Sequence, residues 1–260
     1  MKEQGGEPVY DFQKANMWKR ISAALCDFIL LCIVIVGIAF LLSTVLGYDG
    51  HVARLEEISS SYEVEYGVGL DISASEYEAL TEEEQAQYQS AMDAFSTDSD
   101  ANYAYGMIVN LTFIIITFSI LLAYILLEFI VPLLFGNGQT LGKKVFGVAV
   151  MREDGVRLSP ILLFARTVLG KYTVETMVPV FIILLISLGL LGIVGTVIIL
   201  GLLILQLALL AATKARTPLH DKIAHTVTVD LASQMIFESP EALLEYKKRI
   251  HAESVESEKY

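Results

Sequence analysis

The chain has 260 residues, 54% of them hydrophobic, and a mean hydropathy of +0.57, more apolar than an ordinary soluble domain. Its formal net charge of −12 excludes a nucleic-acid binder, which presents a basic face. The apolar residues gather in three blocks, 21–46, 106–135 and 177–212; roughly 20 apolar residues cross a hydrocarbon core, so the chain reads as an all-α polytopic membrane protein.

A short tail, 1–16, precedes Lys19, Arg20 and the first apolar block. That block is too long for the core of a signal peptide and lacks a following small-residue cleavage site, so it is expected to remain as a span. Cys26 and Cys32 lie six apart within it and face different sides of a helix. They read as small apolar side chains, and with no CxxC or zinc spacing neither a metal nor another cofactor is expected. Between 48 and 105 the chain carries fourteen acidic residues against one basic residue, Arg54. Within this acidic loop Ser73-Ala74-Ser75-Glu76 and Thr81-Glu82-Glu83-Glu84 match the capping-box pattern, which predicts one or two short helices between about 73 and 95. The block 106–135 is the second predicted span.

A polar linker, 136–176, follows. Val145 to Met151 is apolar and β-branched and runs into Arg152-Glu153-Asp154-Gly155, the pattern of a short strand and turn. Ser159-Pro160 is a helix start. The helix it opens, to about Lys171, mixes Arg166 and Lys171 with Leu162, Leu163, Phe164 and Leu169, and is expected to lie along the membrane surface. The third block, 36 residues, would be about 54 Å long as one helix against a core of about 30 Å. It therefore predicts a hairpin of two short spans, 177–193 and 195–212, turning near Gly192 and Gly195. In the tail 231–260, Ser239-Pro240 and the Glu241–Glu245–Arg249 spacing predict a short exposed helix.

Lys and Arg mark cytoplasmic flanks. Lys14, Lys19 and Arg20 precede the first span; Lys143, Lys144, Arg152, Arg157, Arg166 and Lys171 follow the second; Lys214, Arg216 and Lys222 follow the last. The expectation is a multi-pass protein of the cell membrane with four spans, both termini cytoplasmic and the acidic loop outside.

Ionisable residues inside apolar spans cost about 2.5–3.5 kcal/mol for Asp at the centre on insertion scales, which makes Asp27 and Glu128 candidates for function. Counted from the cytoplasmic ends of their helices, Asp27 lies about 10 Å deep, Glu128 about 12 Å and Gln206 about 10 Å. Three spans thus place a polar group in one layer, which Tyr124, one turn from Glu128, extends. Arg20 shares a face with Asp27 two turns away, a long reach for a direct bond. Two close carboxylates without a cation raise each other's pKa; a shared proton or a bound cation relieves this. Three readings of the layer stand: polar glue between helices, a path for protons or ions, or recognition of a headgroup or small polar ligand.

Three stretches resemble the RDD family of membrane proteins, named for one arginine and two aspartates. Met17-Trp18-Lys19-Arg20-Ile21-Ser22-Ala23-Ala24-Leu25-Cys26-Asp27 is similar to its opening motif, with Arg20 and Asp27 in the named positions. Gly138-Gln139-Thr140-Leu141-Gly142-Lys143-Lys144-Val145-Phe146-Gly147-Val148 is similar to its glycine–lysine segment, and Arg166 falls where a further arginine is usual. Leu219-His220-Asp221-Lys222-Ile223-Ala224-His225 begins its closing motif, with Asp221 as the second aspartate and His225 where glycine is usual. The resemblance implies a bundle whose charged residues gather near the cytoplasmic face, with Lys143, Arg166 and His220 in support, and cation/proton exchange as one activity suggested within the family.

The sequence therefore points to a small transporter or transport component. Asp27, Glu128 and Gln206 are its candidate ion or proton ligands, and Arg20 and Asp221 set the local field. The expected partners are the lipid bilayer, a monovalent cation or proton, and further copies of the chain, since four helices are few for a solitary carrier. The alternative is a membrane adaptor or regulator that holds partner proteins through the acidic loop and the tail. No GxSxG, HExxH or phosphate-loop pattern is present, and no enzymatic activity is expected.

Overall fold

The computed structural model describes residues 12–212 and 217–257. Lys214 and Arg216, two of the charges used above to orient the last span, lie outside the described residues, as does most of the N-terminal tail. Among the described residues, four helices are long and apolar enough to cross a membrane. These are α1 (Met17–Leu46), α5 (Ser99–Phe135), α7 (Pro160–Ser187) and α8 (Gly192–Ala212). Their apolar side chains are largely exposed, Phe28, Leu134, Ile193 and Ile204 among them, as expected where lipid is the neighbour.

The chain divides into two compact units, one made of residues 36–119 and the other of 1–35 with 120–260. In the first, the acidic segment is helical over much of its length. Helix α2 (Tyr48–Tyr66) lies between Gly47 and Gly67, both at positive φ, where glycine avoids the Cβ penalty. Short α3 (Ala74–Ala79) and α4 (Glu82–Thr97) each begin with a complete capping box, Ser73 with Glu76 and Thr81 with Glu84. Ile58 of α2 and Ala91 of α4 are buried. Arg54 bonds Glu57 at 2.8 Å and Asp100 at 3.2 Å, and the Tyr62 hydroxyl donates to Asp98 at 3.0 Å. The sequence pattern anticipated α3 and α4 but not the 19-residue α2.

In the second unit, α5 ends at Phe135. A glycine-rich turn then leads to α6 (Leu141–Val145), a single turn capped by Thr140, and to β1 (Val148–Arg152). After α8 come α9 (Leu219–Ile223), β2 (Thr226–Asp230) and α10 (Pro240–Ser257). The strands pair antiparallel, Val148 opposite Asp230 and Arg152 opposite Thr226. Ala149, Met151, Val227 and Val229 form the core beneath them. The segment before α1 joins this sheet, with Lys14 bridging Val229, and Lys19 in the first turn of α1 reaches Asp230 at 2.6 Å. The tail helix α10 packs Leu243 with Phe237 against Val156. His225 takes φ +50, the conformation a glycine would adopt without strain.

The hairpin is present but shifted from its expected place. Residues 160–171 are not a separate surface helix, and the third span does not begin at 177. Both belong to α7, 28 residues long, with π-helical turns over Ala165–Met177. Hydropathy alone stops at Arg166, Lys171 and Glu175; the fold continues through them because each finds a partner inside the protein. The turn lies over 188–191, with Gly189 and Gly192 at positive φ. Gly195 stands inside α8, where a Cβ would come within 2.7 Å of Ile186.

Candidate functional site

The polar groups meet in a cavity of about 410 Å³ whose walls include Arg20, Asp27, Glu128, Lys143, Arg166, Lys171, Glu175, His220 and Asp221. It is built from α1, α5, α6, α7 and α9, with Val148 of β1 and Thr228 of β2. π-Helical turns run through Ile125–Ile130, which carries Glu128, and through Ala165–Met177, which carries Arg166, Lys171 and Glu175. Such turns re-aim side chains and recur at functional sites.

Asp27 is held by the segment after the second span. Thr140 Oγ1 donates to its Oδ2, the Gly142 N–H donates to Oδ1 at 2.7 Å, and Lys143 Nζ stands 3.5 Å from Oδ2. The approach is so close that a Cβ on Gly142 would lie 2.3 Å from the Ala23 carbonyl oxygen and 2.9 Å from Asp27. Lys143 also donates to Thr140 at 3.1 Å. Burial and the nearby Lys171 ammonium pull the Lys143 amine down to about 8, against the pull of Glu128 and Asp27.

Glu128 has a different environment. Lys171 Nζ stands 2.5 Å from its Oε2, and Thr167 donates to its backbone carbonyl at 2.9 Å. Arg166, one helical turn before Gly170, donates through Nε to Asp221 Oδ1 at 2.7 Å. Thr226 and Thr228 hydroxyls complete the aspartate's shell at 2.8 and 3.3 Å. Burial pushes the Asp221 carboxyl up, but the Arg166 guanidinium outweighs it and holds it below the ordinary range. Glu175 accepts from His220 Nδ1 at 2.7 Å, from the His220 N–H at 2.9 Å and from Gln206 at 3.0 Å. Burial lowers the pKa of His220, so the imidazole favours its neutral form. Gly170 lets α7 approach this point, since a Cβ there would lie 2.7 Å from that of His220.

Asp27 and Glu128, expected at one depth, line the same cavity. Neither needs a shared proton or a foreign cation to be compensated, because Lys143 and Lys171 already stand beside them. Gln206 does not line this cavity. It sits on the far side of Glu175 and accepts from the Leu219 N–H at 3.2 Å. Tyr124 borders the cavity and shares a 2.8 Å hydrogen bond with Thr176. Arg20 lines it too, and Lys143 is a cation beside Asp27.

The model of the RDD family matches residues 14–225. The chain belongs to the RDD family. No curated protein and no solved structure matches it. In this RDD-family membrane protein, Arg20, Asp27 and Asp221 all border one cavity, and both aspartates are fastened to cations that follow the second span. Sequence reasoning placed Thr140 and Gly142 only within the family's glycine–lysine segment, passed over Glu175, and read Lys171 as a marker of sidedness and part of a surface helix. The i, i+4 spacing of Lys171 and Glu175 beside an apolar block was the available signal: it puts both on one helix face.

Proposed function

We propose that this RDD-family protein exchanges a monovalent cation for a proton across the cell membrane, with Glu128 as the carboxylate that receives the cation. The observation that carries this reading is the Glu128–Lys171 pair on the cavity wall. A lysine ammonium is a monovalent cation on a flexible stem, so the place it holds beside Glu128 is one that a monovalent cation fits. Asp27 is less suited, because the Thr140 hydroxyl and the Gly142 N–H both donate to it. Its role is to hold Lys143 at the cavity.

Lys143 supplies the proton. Below about 8 its ammonium helps neutralise the cavity. When it releases its proton to water, the cavity gains one negative charge and a cation is drawn in, so the total charge is unchanged. Cation affinity therefore rises with pH through this range. The Lys and Arg residues that flank the spans at this end, Lys19, Arg20, Lys143, Lys144 and Lys222 among them, support a cytoplasmic opening and cytoplasmic termini, and the small number of spans supports a homo-oligomer as the working form.

The test is cation flux into proteoliposomes under an imposed pH gradient. Wild-type protein is expected to exchange, and Glu128→Gln to abolish exchange. Lys143→Met is expected to lose its pH dependence near 8. Absence of flux, or flux indifferent to Glu128→Gln, overturns the proposal. A second reading, a partner-binding adaptor, is favoured by the acidic helical unit at residues 36–119, most of whose carboxylates are exposed. Crosslinking in native membranes would recover a partner joined to that unit; recovery of the chain alone counts against it.

A further inference from the structure

A second cavity, of about 400 Å³, shares none of the polar site's lining residues. Its apolar wall is formed by Pro132 and Leu133 at the end of α5 and by Leu163 at the start of α7. These helix ends belong to two of the helices long enough to span, so the cavity lies at the level where the spans leave the hydrocarbon. Its charged wall carries Arg152, Arg157 and Glu238.

The two arginines are positioned but not saturated. Arg157 Nε donates to the Gly136 carbonyl, and Nη1 stands 2.6 Å from Glu238 Oε2. Gly136, at φ +87, has no side chain to obstruct the guanidinium lying over it. Arg152 Nη2 stands 2.6 Å from Asp154 Oδ2. Among the described residues, Arg157 Nη2 and Arg152 Nε and Nη1 have no acceptor in the protein. Both side chains remain more than a third exposed, at 36% and 37%. Guanidinium groups match phosphate oxygens in number and spacing, and an adjoining apolar wall is of no use to a free inorganic anion. The starts of α7 and α10 also line the cavity and add to its positive potential.

We propose that this cavity holds the headgroup phosphate of an anionic phospholipid. Arg152 and Arg157 take the phosphate, and the first part of an acyl chain lies against Leu133 and Leu163. Glu238, 75% exposed, competes with the phosphate for Arg157. Lipid binding here is independent of ion exchange in the polar cavity.

The experiment is native mass spectrometry of the detergent-solubilised full chain, titrated with phosphatidylglycerol, phosphatidylcholine or inorganic phosphate. The expected result is retention of phosphatidylglycerol about tenfold above phosphatidylcholine, and loss of that preference in the Arg152→Gln/Arg157→Gln variant. Glu238→Gln leaves an exposed position free of charge, does not test folding, and is expected to raise phosphatidylglycerol retention. Equal retention of the two lipids overturns the proposal. So does a Glu238→Gln protein that binds no better than wild type, or displacement of phosphatidylglycerol by an equal concentration of inorganic phosphate.

Discussion

Arg166 and Asp221 meet at 2.7 Å with their side chains 2% and 1% exposed, joining the third span to the short helix after the fourth. Removing one partner strands the other charge in the interior, at a cost of about 3–5 kcal/mol. Arg166→Met and Asp221→Asn are each expected to lower the thermal midpoint in detergent sharply. The double variant Arg166→Met/Asp221→Leu should lose less than the two single losses added together, because no orphan charge remains. Additive losses would contradict the pairing. Acid adds a second check. The Asp221 carboxyl is depressed below its ordinary 3.8, so its contribution is complete above that value and is lost as pH falls through the folded pKa.

Gly142 is the tightest point between α1 and the glycine–lysine segment. Gly142→Ala puts a methyl group 2.3 Å from a backbone oxygen of Ala23, which neither chain can yield without shifting Asp27. The expected loss is about 1–3 kcal/mol, read as a lowered unfolding midpoint. An unchanged midpoint would show that the approach is looser than described.

Lys143 makes stability depend on alkaline pH. Its folded pKa, about 8, lies below its ordinary 10.5. Between these values the unfolded chain holds a proton that the folded one has released, so stability rises with pH, by at most about 1.4 kcal/mol per pH unit. Below about 8 both states are protonated and this contribution is flat. Lys143→Met should remove the rise, as measured by chemical unfolding across pH 7–11.

The capping boxes of the acidic unit are a local test. Ser73→Ala and Thr81→Ala each remove the side-chain acceptor for a helix N–H. Amide exchange in α3 and α4 respectively is expected to quicken about fivefold, with little change elsewhere. Unaltered exchange would mean that tertiary packing, not the caps, holds these helices.

Where structure follows from neighbouring residues, the sequence was readable. The first two spans, both capping boxes, the tail helix at Pro240 and most of the strand expected over Val145 to Met151 are each written in a local pattern; the strand itself is Val148–Arg152, because Val145 closes α6. The third span was not, because hydropathy treats Arg166, Lys171 and Glu175 as charges needing water. In the fold they are answered by Asp221, Glu128 and His220, residues far off in the chain. Helix α2 escaped notice for another reason. It begins at a left-handed glycine with no side-chain cap, and its polar composition resembles a solvated loop. In the site, the shared layer of Asp27 and Glu128 came from counting residues along helices. The identity of their cations did not, since that depends on how α6 and α7 pack. Gln206, counted to the same depth, does not line that cavity.

The pairing of β1 with β2 also sets a timetable. The two strands bracket α7, α8 and α9 in the chain, so the sheet cannot close until everything between them has been synthesised. Glu128 can meet Lys171 as soon as the third helix is made, whereas Arg166 and Glu175 must wait for Asp221 and His220, which emerge from the ribosome only after the fourth. Chains interrupted before residue 221 would leave the Arg166 guanidinium without its aspartate. Completion of the polar site therefore waits for the segment that follows the fourth span.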